Sequence, residues 1–195
     1  EKGKKADSIV MAGEIRDRYL SARWKQFFDR SFFNTHTPTL KDKQIAWIIS
    51  GPLGQLPNLT EILSAYAQFH GANTVGMVND EMGDSPRIDA LLRELARRVV
   101  CLAEQGYVQT RDYLGVGGMK IFRDEVWGKL RFVFQADHRY YKRHGFYDFP
   151  HKDIKTRRTN LMMTLLTKIP PFRKKFLKVL EKEMVKPLKK VVADK

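Results

Sequence analysis

Three polar segments hold the residues best suited to binding chemistry, and each of them directly follows a short apolar run. They are AGEIRDRYLS at 12–21, SGPLGQLPN at 50–58 and NDEMGDS at 79–85. In an open parallel α/β sheet, ligands bind in the crevice beyond the carboxyl ends of the strands. If the apolar runs are strands of one such sheet, these three segments form the candidate ligand site.

Two further groups of residues resemble ligand sites by composition alone. GVGG at 115–118 precedes a helical pattern, which is the form of an anion cradle, but no convincing strand precedes it. A cluster of possible metal ligands comprises Asp137, His138, Tyr141, His144 and His151. Because His138 and His144 are six residues apart and point to different faces of a helix, the sequence predicts no metal site.

Short apolar runs predict the strands that position the three polar segments. The runs have continuous hydrophobicity and β-branched residues, which is typical of strands buried on both faces. We expect strands at about 7–12, 44–50 and 73–79. A helix-length connection joins each consecutive pair, so these strands should be parallel and adjacent.

Helical spacing of apolar residues predicts a helix after each strand. The expected helices run from Ser21 to Phe33, from the N-cap Asn58 to Gly71, and from the N-cap Ser85 to Gly106. The alternation of strand and helix predicts an α/β fold in which helices cover both faces of a parallel sheet.

The charge is concentrated in the last two fifths of the chain. Residues 1–117 hold 15 Lys and Arg against 14 Asp and Glu, whereas residues 118–195 hold 21 against 8. We therefore expect an α/β region at 1–114 and a basic helical extension at 115–195. Such an extension would attract phosphates, acidic partners or anionic membrane surfaces, and a solvated Lys-rich face is the alternative.

The extension itself reads as three helices, at about 119–144, 156–168 and 172–190, with Pro170-Pro171 separating the last two. The last helix has one apolar side and many lysines. Its apolar side is expected to pack as core, which would bury Phe176, Leu180 and Met184. The alternative is that this helix engages an anionic surface.

Composition excludes several classes of protein. With 43% hydrophobic and 11% aromatic residues the chain is not wholly disordered, and its apolar runs are far shorter than the roughly 20 residues that span a bilayer. Cys101 is the single cysteine, which excludes an internal disulfide and a cysteine-held zinc or iron–sulfur site. We expect a cytoplasmic protein that does not bind nucleic acid, since no targeting or nucleic-acid-binding motif is recognisable.

Two stretches carry a resemblance to a known family. They are DSIVMAGEIRDRYLSARWKQFFDRSF at 7–32 and LKDKQIAWIISGPLG at 40–54. Their spacing resembles that of the NAD(P)H-dependent FMN reductase family of flavodoxin-like proteins, which has a helix motif, an approach to the next strand and a Ser/Thr-Gly loop. The matching residues are Ser21, Lys25, Phe27, Asp29 and Arg30 in the helix, Leu40 and Lys43 in the approach, and Ser50 and Gly51 in the loop.

The resemblance implies a flavodoxin-like oxidoreductase or electron-transfer protein that uses FMN, with NAD(P)H and an electron acceptor as partners. It implies no metal and no proton-transferring residue. The residues that it places beside the isoalloxazine ring of the flavin are Gly13, Glu14, Ile15, Arg16, Tyr19, Ser21, Ser50, Gly51, Pro52 and Gly54.

The chain also departs from the family pattern. Glu14 stands where the family has Pro, and Arg16 stands where it has Tyr. The strand and Gly/Ser-rich loop that cradle the FMN phosphate in the family should precede residue 6. We therefore expect this chain alone to bind FMN weakly or not at all. The first strand should have an open edge that a second copy or the C-terminal helices cover.

The alternative hypothesis belongs to a different class of protein. It is a non-catalytic module that keeps the flavodoxin-like fold and uses its basic helices to dock a partner or an anionic membrane surface.

Overall fold

The structure, a computed structural model, describes residues 2–81, 83–148 and 153–193. Within these residues a four-stranded, mostly parallel sheet has the order β2-β1-β3-β4. Its strands are β1 (Ser8–Arg16), β2 (Tyr19–Leu20), β3 (Gln44–Ser50) and β4 (Asn73–Asn79). β1, β3 and β4 are parallel neighbours, which confirms the three strands expected from the apolar runs.

The chain divides into two compact units, residues 1–120 (unit 1) and 121–195 (unit 2). The sheet belongs to unit 1, and the described part of unit 2 consists of helices and turns. The boundary that charge suggested lies earlier, between residues 114 and 115.

Strand β2 was not expected from the sequence. It pairs antiparallel with the end of β1, where Arg16 lies opposite Tyr19. The turn between them is possible because Asp17 adopts a φ of 62°, a left-handed conformation that Asp tolerates better than most residues. β1 therefore extends beyond the apolar run into residues that the sequence places in a loop.

Helices cover both faces of the sheet in unit 1. They are α1 (Lys2–Lys5), α2 (Ala22–Ser31), α3 (Pro57–Phe69) and α4 (Ser85–Glu104), with 3₁₀ turns at 32–36 and 53–55. Side chains of β3 point alternately to the two faces: Trp47 packs with α2 and α3, and Ala46 packs with α4. This is the three-layer α/β arrangement that the strand–helix alternation predicts.

Two predicted helix starts are wrong by one or two residues. α3 begins at Pro57, with Leu56 as its N-cap in place of Asn58, because proline is well suited to the first position of a helix. The N-cap of α4 is Asp84 rather than Ser85, since its carboxylate accepts a hydrogen bond of 3.1 Å from the backbone N–H of Arg87.

The amino-terminal half of β1 has an open edge. Within the described chain, the side of β1 away from β3 is paired only at Ile15 and Arg16, where β2 lies. Val10, nearer the start of the strand, is 54% exposed. The open edge was expected, and its covering by a second copy or by the C-terminal helices stays a prediction.

The predicted single helix over 119–144 is interrupted in the structure. The helices of this part of the chain are α5 (Tyr113–Glu125), α6 (Gln135–Arg143), α7 (Ile154–Leu166) and α8 (Pro170–Ala193). A π-helical turn at Val126–Leu130 follows α5. The backbone carbonyls of Trp127 and Gly128 each accept a hydrogen bond from the Asn160 side chain on α7, at 2.9 and 3.1 Å. Buried Asn160 thus stabilises the irregular turn.

The apolar side of helix α8 is only partly buried, whereas the sequence predicted that it packs as core. Phe176 and Leu180 are half-buried, and the Phe176 ring contacts Phe132, but Met184 is 70% exposed, so its predicted burial is wrong. A helix of this length extends about 36 Å, much further than the shorter α6 and α7. Pro170-Pro171 lies in the first turn of α8 and does not form a separate linker.

No helix in the described ranges is both long enough and apolar enough to cross a bilayer.

The close packing of β1 on α2 generates a stability prediction. A Cβ atom at Gly13 would overlap the indole of Trp24, whose Nε1 donates a hydrogen bond of 3.1 Å to the Ala12 carbonyl. We expect Gly13→Ala to lower the free energy of unfolding by about 1–3 kcal/mol. The control is Gly117→Ala in α5, where no atom lies within 4 Å of the added Cβ, and which should raise that free energy by up to about 1 kcal/mol. Urea unfolding measures both, and equal midpoints for the two variants would contradict this packing.

Candidate functional site

The three polar segments meet at one edge of the sheet. Contacts join the loop after β3 to the other two segments. Gly51 packs on the hairpin, because a Cβ atom there would lie 3.0 Å from the Cβ of Ile15. The Ser50 hydroxyl donates to the carboxylate of Asp80, just beyond β4, at 2.7 Å. The structure therefore brings together the segments that the sequence singled out.

Two carboxylates bind the backbone of the loop after β3. Asp80 accepts a hydrogen bond of 2.6 Å from the N–H of Gly51, and Glu81 accepts one of 2.7 Å from the N–H of Gly54. Glu81 also accepts from the side-chain amide of Gln55 at 3.1 Å. Backbone N–H groups that could bind an external anion are thus occupied by acidic side chains of the chain itself.

These hydrogen bonds favour the charged form of Asp80. The Gly51 N–H, followed by the Ser50 hydroxyl, holds the pKa of Asp80 below its usual range. The stabilisation is therefore present at neutral pH. It is lost as the pH falls from the ordinary carboxyl pKa of about 3.9 through the lower folded value.

The conformation of the loop after β3 requires a glycine at position 51. Its φ is +110°, in the region that residues with a side chain rarely adopt, and Pro52 follows it into the 3₁₀ turn. Gly54 is also confined, since a Cβ atom there would lie 2.8 Å from the Glu81 carboxylate.

The hairpin contributes a more exposed set of side chains. Glu14 and Arg16, the two departures from the family pattern, form an ion pair of 3.0 Å. Both are largely exposed, so the pair contributes little to stability. Tyr19 is half-buried, and burial raises the pKa of its phenol, which stays neutral at pH 7.

Two predicted site residues, Ser21 and Gly13, contact helix α2 or the chain beside its start. Ser21 is the N-cap residue of α2, and its N–H donates to the Glu14 carbonyl at 3.2 Å. The side of Gly13 where a side chain would lie is filled by Trp24. Gly13 is therefore explained by packing under α2.

The sequence alone does not identify Asp80 and Glu81 as site residues. Their segment, NDEMGDS, was recognised because it follows a buried strand. The sequence signal for these two residues was that acidic side chains follow one strand while a glycine-containing loop follows the neighbouring strand. The pairing of each carboxylate with a particular N–H depends on loop geometry that spacing does not specify.

The glycines at 115–118 lie inside α5 and do not precede a helix. Cβ atoms at Gly115 and Gly118 would overlap the side chains of Gln68 and Phe69 on α3. These glycines permit close packing of two helices and do not form an anion cradle.

Two histidines of the possible metal-ligand cluster make hydrogen bonds within the protein. His138 Nδ1 lies 2.9 Å from the Tyr147 hydroxyl, and His144 Nδ1 donates to the Tyr140 carbonyl at 2.9 Å. In the part of the chain that the structure describes, no group of three or more His, Cys, Asp or Glu side chains could hold a metal ion. His151 lies outside the described residues.

Neither a protein-family model nor a protein of curated function matches this sequence.

The carboxylate contacts predict a local change in backbone protection. Asp80→Ala should speed amide hydrogen exchange at Gly51 about tenfold, because a charge-assisted hydrogen bond to that N–H is lost. Asp89→Ala removes the same charge from an exposed position on α4 and should leave Gly51 unchanged. Exchange measured by NMR compares the variants, and slow exchange at Gly51 in Asp80→Ala would show that the carboxylate does not hold the loop.

Proposed function

We propose that the protein is a flavodoxin-like oxidoreductase or electron-transfer protein in which the loops at the carboxyl edge of the sheet hold the ring of FMN. The observation that supports this most is the meeting of the hairpin with the loops after β3 and β4 at one edge of three parallel strands. Open α/β sheets bind ligands at such an edge. The helix that resembles the family motif, α2, begins at the same edge.

The residues of this edge fit the uncharged ring better than the phosphate of FMN. The N–H groups of Gly51 and Gly54 are occupied by Asp80 and Glu81. A phosphate carrying up to two negative charges would be repelled by both carboxylates. In the hairpin, the guanidinium of Arg16 and the phenol of Tyr19 would contact the flavin ring.

The phosphate would then be held elsewhere. The resemblance implies a further strand and phosphate-binding loop beside β1. The open edge of β1 supports this arrangement, since a further strand can pair there.

When bound, the flavin supplies the redox chemistry, accepting hydride from NAD(P)H and passing electrons to an acceptor. The chain's own residues position the ring. Arg16 and Tyr19 of the hairpin, with Pro52 of the loop after β3, are the residues that would hold it at this edge.

A comparison of two flavins tests the proposal. Riboflavin should shift the amide NMR signals of the hairpin and of residues 50–54. FMN should bind no more tightly than riboflavin, and its affinity for the chain should be weaker than micromolar. Arg16→Ala should weaken riboflavin binding about fivefold, which corresponds to the loss of one contact of about 1 kcal/mol at an exposed side chain. Arg18→Ala, in the same hairpin turn and also exposed, is the matched control and should have no effect. Riboflavin-induced shifts confined to other regions of the folded chain, or none at saturation, would argue against a ring site at this edge.

One observation supports the second candidate, a docking module. The α8 side chains Leu177 and Met184 are exposed and seven residues apart, so they share a helix face beside several lysines. Apolar residues flanked by cations on one helix suit the surface of an anionic membrane.

Vesicle co-sedimentation tests this second function. The chain should bind anionic vesicles in a salt-sensitive manner and should not bind neutral vesicles. A Leu177→Glu/Met184→Glu double variant should lose most of this binding, and Met162→Glu, at an exposed position of α7, should retain it. Equal binding by both variants would eliminate insertion of α8.

A further inference from the structure

Unit 2 contains a cavity that is lined by cations and aromatic rings. Its volume is about 360 Å³, within the range of small-molecule sites. The lining residues are Trp127, Arg131, His138, Lys142, Gly145, Tyr147 and Arg157. Three of them, Arg131, Lys142 and Arg157, have basic side chains, and none of the described lining residues is an Asp or Glu.

Arg131 presents hydrogen-bond donors that the described residues leave unused. Its guanidinium lies over the Trp127 ring, 4.4 Å from the ring centre. Its Nε and Nη2 atoms are buried, and within the described chain they have no hydrogen-bond partner. Unpartnered buried donors are destabilising, and more so when they are charged.

Arg123, a buried arginine of unit 2, shows the contrast. Arg123 donates to the carboxylates of Asp124 and Asp148 and to the Phe146 carbonyl. Among the described residues, unit 2 thus supplies acceptors to the guanidinium of Arg123 and none to the buried Nε and Nη2 atoms of Arg131. An acceptor brought by a ligand would complete the hydrogen bonding of Arg131.

The electrostatics of the cavity also favour an anion. Burial and the charge of Arg157 lower the pKa of Arg131, whereas Tyr147 opposes that shift. Burial, with the charges of Arg131, Lys142 and Arg139, lowers the pKa of His138 to about 4. His138 is therefore neutral at pH 7 and adds no charge to the site.

The phenol of Tyr147 is neutral as well. Its pKa is raised to about 12, mainly by burial, with Arg131 opposing and Asp137 adding to the shift. Its hydroxyl lies against His138 Nδ1. The cations of the cavity therefore face two neutral polar groups, and the net charge of the described lining is positive.

We propose that this cavity binds the phosphate group of a small phosphate ester. The guanidinium of Arg131 can donate to phosphate oxygens, and Lys142 and Arg157 add charge. Three cations match a phosphate dianion better than a carboxylate. The Trp127 ring provides an apolar wall for the rest of the ligand. This site lies in unit 2 and does not depend on the flavin proposal.

Phenyl phosphate is the probe for a soluble ester, titrated by calorimetry into the whole chain at constant ionic strength. We expect saturable binding to the wild-type chain. Arg157→Gln should weaken it about tenfold, which corresponds to one charged hydrogen bond. Arg158→Gln removes the same charge from the next residue of α7, which does not line the cavity, and should leave the affinity unchanged. Both arginines are exposed, so neither variant is expected to impair folding.

A second titration separates a soluble ester from a lipid headgroup, which presents the same phosphate chemistry. Vesicles containing phosphatidic acid replace phenyl phosphate, and the same two variants are compared. Sensitivity to Arg157→Gln with phenyl phosphate supports a soluble ester. If Arg157→Gln weakens the binding of vesicles but phenyl phosphate shows no such effect, the site binds a lipid headgroup. Equal weakening by Arg157→Gln and Arg158→Gln with both probes, or no binding of either, would overturn the proposal, because general charge attraction would then suffice.

Discussion

The burial of β3 on both of its faces is the constraint on which unit 1 depends. Trp47 and Ile49 belong to the cluster formed with α2 and α3, whereas Ala46 belongs to the cluster formed with α4. A shift of one residue along this strand would exchange its two faces, placing the large indole against α4. The register of β3 with β1 and β4 is thereby specified, and with it the position at which each strand ends and its polar loop begins.

The two proposed sites differ in how their hydrogen-bond donors are satisfied. In unit 1, the donors of the loop after β3 are satisfied internally, since Asp80 and Glu81 bind the N–H groups of Gly51 and Gly54. In unit 2, two donors of Arg131 are buried without a described acceptor. An edge that already contains its own anions suits an uncharged ligand surface, and a cavity with surplus cations suits a charged one.

The predictable parts of the structure are those that depend on local pattern. The strands at 44–50 and 73–79 follow from continuous apolar runs, and their adjacency follows from the length of the connections. The hairpin at Asp17 was missed because GEIR lacks the apolar content of a buried strand. The exposure of Met184 was missed because helical spacing indicates which residues share a face but not how far a neighbouring helix extends. The pairing of Asp80 with Gly51 joins loops that lie far apart in the chain.

The π-helical turn at Val126–Leu130 has a consequence for comparing this chain with relatives. A turn of this kind accommodates one extra residue, and one residue corresponds to a rotation of about 100° around a helix axis. Arg131, directly after it, is therefore rotated away from where an uninterrupted continuation of α5 would place it. A relative that has the same residue types but is one residue shorter here would direct its arginine elsewhere. Chain length across this turn, together with an Asn at the position of Asn160, is thus a better marker of the same cavity than overall sequence identity.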